Sequence, residues 1–141
     1  METSIVRNRL RDTIERAKRG AAERRAAADA AVRDYGAFLQ DRAIPLFRQL
    51  ANALKVAGYP FTVNTPADSV SLMSDRAASD FIELSLDTSG DEPHVVLRTS
   101  RSRGRKLFES ERPIGKGPIA NISDELLLEV LLKELEPFVE K

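Results

Sequence analysis

An apolar repeat near the N-terminus constrains this chain more than any other feature. Leu10, Ile14, Ala17, Ala21, Arg24, Ala28, Ala31, Tyr35 and Phe38 follow one another at alternating steps of four and three. That is the spacing of a heptad seam on a helix. All of these residues but Arg24 are apolar, and four of them are alanine. An alanine seam lets a second helix approach closely while burying little area per turn, at ~25 cal/mol per Å² of apolar surface. Alanine also has the highest helix propensity, so the segment favours a helix before any partner arrives. Acid-first pairs four residues apart, Asp12 with Arg16, Glu15 with Arg19 and Asp29 with Arg33, each add ~0.2–0.5 kcal/mol. Thr3 or Ser4 is the expected N-cap, and Gly20 costs ~1 kcal/mol relative to alanine.

Residues 1–40 therefore read as a coiled-coil-like helical arm and residues 41–141 as a compact α+β domain. A helix over residues 4–34 would run about 46 Å at ~1.5 Å per residue. The remaining chain makes a body of roughly 30 Å, so the arm overhangs it. Two arrangements satisfy the seam. Either the arm meets a partner helix, most simply from a second copy, or it folds back as a hairpin on residues 41–57.

Past the seam the stripe continues with larger residues, Leu39, Leu46, Phe47, Leu50 and Leu54, where the arm should enter the core. Pro45 interrupts the hydrogen-bond ladder. Because the stripe keeps its phase across it, the reading is one long helix kinked near Pro45, ending at Gly58 with Pro60 beyond. The period then changes from 3.6 to 2. Strands are expected at 61–64, 69–73, 80–87, 94–101 and 106–114, an antiparallel meander of four or five strands. A register facing Leu84 with Leu97 and Leu86 with Val95 also sets Glu83 opposite Arg98. The hairpin loop is Thr88–Glu92, and Ser102-Arg103-Gly104 is a second turn. Ser123 or Asp124 caps a closing amphipathic helix with Leu127, Val130, Leu131 and Leu135 inward. Leu126, Leu128 and Leu132 widen its apolar surface.

The absence of cysteine removes disulfides, thiolate catalysis and cysteine-type zinc sites. No apolar leader and no run of eighteen apolar residues is present, so the expectation is a cytoplasmic protein without a membrane role. Net charge is zero but unevenly spread, at +5 over residues 1–58, −2 over 59–113 and −3 over 114–141.

Chemistry is sparse. The acids Asp75, Asp80, Glu83 and Asp87 lack the lysine that a metal-dependent nuclease strand carries, and His94 is the sole histidine. No nucleophile–base pair is legible. No catalytic residue, metal site or cofactor is assigned, and the chain is read as a non-enzyme. The glycines at Gly115-Lys116-Gly117-Pro118 do not make a phosphate-binding loop. The arm's basic residues, Arg7 to Arg25, are mixed with acids and read as a solvated exterior, whereas Arg98, Arg101, Arg103, Arg105 and Lys106 form a cationic cluster with no acid between residues 94 and 108. Such a ribbon could hold a polyanion, or it could be a solvated hairpin that blunts a sheet edge.

The expected function is that of a non-catalytic assembly or adaptor protein. It would self-associate, or bind a larger protein, through Leu10, Ile14, Ala17, Ala21, Arg24, Ala28, Ala31 and Tyr35 and through the closing helix. The alternative is a small nucleic-acid-binding or regulatory protein using the hairpin at residues 98–106.

Overall fold

The computed structural model describes residues 1–90 and 92–140. Asp91, in the expected Thr88–Glu92 hairpin loop, lies outside the described residues. The element order is α1 (Thr3–Phe38), a π-helical turn (Leu39–Ala43), α2 (Ile44–Val56), β1 (Phe61–Asn64), β2 (Val70–Ser74), β3 (Phe81–Asp87), β4 (His94–Arg103), β5 (Lys106–Pro113), a 3-10 turn (Ile119–Asn121) and α3 (Asp124–Val139). The fold is α+β: a long N-terminal helix, a five-stranded antiparallel sheet in the order β1-β2-β3-β4-β5, and a C-terminal helix.

The helix does not stop at Pro45. Proline cannot donate to the carbonyl of Asp41, and its ring would collide with that group in a regular helix. The wider π turn intervenes, with the amide of Ile44 donating to the carbonyl of Leu39. Pro45 then falls in the first turn of α2, where its fixed φ suits the helix. The turn also explains the spacing of the buried residues. Tyr35, Leu39, Ala43, Phe47 and Ala51, all buried, recur every four residues. In a regular helix such a row drifts about 40° per step. A wider turn advances less per residue and returns the row to the core.

α2 ends in a Schellman motif. The amide of Tyr59 donates to the carbonyl of Leu54 at 2.8 Å, and that of Gly58 to Lys55 at 3.1 Å. Gly58 takes φ 95°, which only glycine adopts without strain. At the other end, α1 begins at Thr3, with Glu2 in the cap position and no side-chain cap. Thr3 and Ser4 are therefore inside the helix rather than capping it. This end is exposed, so water can satisfy the free N–H groups. In α3 the cap is Ser123, whose hydroxyl accepts from the amide of Leu126 at 3.0 Å, with Asp124 and Glu125 in the first turn facing the helix dipole.

The sheet register pairs Leu84 with Leu97, Leu86 with Val95 and Glu83 with Arg98. The Arg98 guanidinium lies 3.2 Å from the Glu83 carboxylate. The second hairpin differs from expectation. β4 continues to Arg103, and the two-residue turn is Gly104-Arg105, between paired Arg103 and Lys106. Gly104 has φ 65°, as the first central position of a type II′ turn requires. Ser102 stays in the strand because its amide and hydroxyl both donate to Asp80, at 2.7 and 3.0 Å.

One sheet face carries Phe61, Val70, Leu72, Ile82, Leu84, Val95 and Leu97 into a single core with Phe47 and Leu50 of α2 and Leu127, Leu131 and Leu135 of α3. The other face mixes Ser71, Ser85 and Ser100 with Met73, Phe81 and Val96, and Arg98 lies 5.4 Å from the Phe81 ring centroid. Among the described residues no helix is long and apolar enough to cross a membrane.

Leu97 is fully buried on β4, whereas Leu107 is exposed on the edge strand β5. Leu97→Ala should cost about 2–5 kcal/mol in urea unfolding. Leu107→Ala should change stability by less than about 0.5 kcal/mol.

Candidate functional site

The arm is two structures in one helix. Its C-terminal half lies against the chain's own body. Tyr35, 3% exposed, and Phe38 are in the core, and Ala21, Ala28 and Ala31 are half-buried. Ala21, Arg24 and Ala28 flank a shallow groove whose other wall is Thr88, Ser89, Gly90 and Pro93. Its N-terminal half, Thr3 to Arg19, is exposed on every side. No fold-back onto residues 41–57 occurs, because α1 runs through the π turn directly into α2.

The seam residues consequently have two different environments. Leu10 (57% exposed), Ile14 (44%) and Ala17 project into solvent, and so does Arg24. Ala21, Ala28, Ala31 and Tyr35 carry the same helix face over the body. Val6, 49% exposed, extends the outer stripe by one more turn, a position the heptad spacing skips because its seam places Arg7 there. Sequence spacing alone did not separate the two halves, since alanine suits an internal contact as well as an external one.

Arg42 fixes the arm's direction. Its Nε donates to the Asp124 carboxylate at 2.8 Å, a second nitrogen donates to the carbonyl of Ile122, and its guanidinium lies 5.0 Å from the Phe38 ring centroid. Charge-assisted bonds of this kind are the stronger ones. They tie the π turn to the start of α3. No periodicity or charge run marks Arg42 in the sequence.

α3 presents a second exposed apolar surface. Leu128 and Leu132 lie outward, among exposed Glu125, Glu129, Lys133 and Glu136.

The five basic hairpin residues do not share one surface. Arg98 points to the open sheet face and pairs with Glu83. Arg101 is on the opposite face, 5.2 Å from the Phe108 ring centroid. Arg103, Arg105 and Lys106 cluster at the exposed tip, and none of them forms an ion pair among the described residues.

The acids likewise have separate local partners. Asp75 accepts from Thr62, Asp80 from Ser102, and Glu83 from Arg98. Asp87 accepts from the hydroxyl and amide of Ser89, and these bonds hold its carboxyl below the usual range. Among the described residues no three metal-ligating side chains converge. A cleft of about 800 Å³ lies between the helix around the π turn and the end of the sheet, lined by Tyr35, Gln40, Arg48, Asp68 and Glu83.

No known protein family, curated protein or solved structure matches this chain.

At the cleft, the Tyr35 hydroxyl donates to the carbonyl of Asp68 at 2.6 Å. Burial raises the phenol's pKa well above the usual tyrosine range, and the Asp68 and Glu83 carboxylates add to the rise. The fold thus favours the neutral phenol. A folded pKa above the unfolded one means that the stability from this group is complete below about pH 10 and is lost as pH rises through the folded value. In an ultraviolet alkaline titration, the phenolate signal that Tyr35→Phe removes should appear only as the protein unfolds.

Proposed function

We propose that this chain is a non-catalytic assembly protein that binds protein through its helical arm and the outer face of α3. The observation that carries the reading is the exposed continuation of a buried helix face. The side of α1 that meets the chain's own body from Ala21 to Phe38 runs on as Val6, Leu10, Ile14 and Ala17 with nothing against it. Burying Leu10 and Ile14 against a partner would contribute about 1.5–3 kcal/mol each. Helices in proteins draw most of their stability from tertiary packing, so a partner would also secure the arm's order. A reducing compartment suits a chain without cysteine, and the cytoplasm is the proposed location.

Sedimentation velocity over a wide concentration range tests the reading. The native chain should form a larger species as concentration rises, or capture a protein partner. Leu10→Glu combined with Ile14→Glu should abolish that association and shift unfolding by less than about 0.5 kcal/mol, because both sites are exposed. A native chain that stays monomeric and binds no protein would remove the proposal.

A second reading rests on the tip, where Arg103, Arg105 and Lys106 are exposed and without ion pairs among the described residues. A polyanion held there would dissociate steeply with salt. Binding of a labelled single-stranded oligonucleotide that is lost in Arg103→Glu with Arg105→Glu would support it. No binding by the native chain would dismiss it.

A further inference from the structure

We propose that the free half of the arm docks on the outer face of α3 of a second copy of this chain, so that two copies exchange arms. The inference rests on the assembly reading above and names the partner surface.

Pairing of arm with arm is poorly supported by charge. With Ile14, Ala21 and Ala28 at the a positions of the heptad, the flanking e positions are Arg11, Lys18 and Arg25. The g positions as far as Ala28 are Val6, Thr13, Gly20 and Ala27, none acidic, and the acidic one, Asp34, lies in the half packed on the body. A parallel pair would bring no acid opposite the basic row, and an antiparallel pair would set the two basic rows together. The arm's surroundings therefore call for a partner helix that is apolar along one line and acidic beside it.

The outer face of α3 has that chemistry. Leu128 and Leu132 are exposed one turn apart, and Glu125, Glu129 and Glu136 around them outnumber Lys133. The lengths also agree. The exposed arm from Thr3 to Arg19 is about 25 Å long, and the 16 residues of α3 make about 24 Å. Within one chain the two surfaces do not meet, as both are exposed.

A two-fold pair satisfies both surfaces twice and closes without free ends. Each helix contact is roughly 25 Å by ~10 Å, so the four surfaces together bury on the order of 1,000 Å². That lies at the lower end for a specific interface. The dimer should accordingly be concentration-dependent, and weakened by salt because its charges lie at the rim.

The absence of native cysteine gives a clean test. Leu10→Cys and Leu132→Cys proteins are prepared separately, mixed and mildly oxidised. The mixture should form an intermolecular disulfide about tenfold faster than either protein alone. Faster cross-linking of Leu10→Cys with itself would mean that arm meets arm, and would overturn the exchange while leaving assembly intact. A native protein that sediments as a monomer at every concentration and captures no protein partner, with no intermolecular disulfide from either cysteine variant or their mixture, would remove the assembly reading as well.

Charge exchange supplies an independent readout. Arg7→Glu with Arg11→Glu, or Glu125→Lys with Glu129→Lys, should each weaken the dimer about tenfold. Combining all four in one chain should restore it. Failure of the combined variant to recover would overturn the proposal.

Discussion

Pro45 sets the geometry on which the rest of the molecule depends. It removes one donor from the helix ladder and forbids a regular turn before it, and the chain responds with a π turn rather than a break. A break would have freed the arm to swing or fold back. Continuity makes Thr3 to Val56 one rod whose last third is a wall of the core. Arg42, brought out by that same turn, bonds to Asp124 and to the carbonyl of Ile122, and so joins the rod to the start of α3.

The sheet is the second support. α2 and α3 bury their apolar stripes on one of its faces, while the other mixes serines and charged residues with Met73, Phe81 and Val96. Covering one face only is a common arrangement for an antiparallel sheet. The exposed edge strand β5 is protected by the means such edges ordinarily use, with Lys106, Glu109, Glu111 and Arg112 along it and Pro113 at its end.

Much of this was legible in the sequence. The β3–β4 register could be read because two independent signals agreed, apolar pairing of Leu84 with Leu97 and charge pairing of Glu83 with Arg98. The end of α2 was legible because Gly58 and Pro60 have narrow conformational uses. The π turn was hidden, since a row spaced by four looks the same whether the helix drifts or widens. The second turn was displaced because Gly104 was read as the end of a turn, whereas a type II′ turn places glycine first. The candidate surfaces were only half legible. Spacing located the seam but could not divide it between the chain's own body and solvent. The tip arginines looked contiguous in sequence, although strand alternation sends Arg98 and Arg101 to opposite faces.

A rod fixed at one end divides the molecule's energetics. The residues from Tyr35 onward enter one packed core, but residues 3–19 are exposed on every side, and their helix can fray and reform without disturbing that core. Substitutions in that stretch are therefore nearly invisible to folding. Selection on stability would let the stretch drift, and only selection on what it touches could hold its sequence in place. Under the proposed assembly, the segment contributing least to the fold would be the one that records the protein's role.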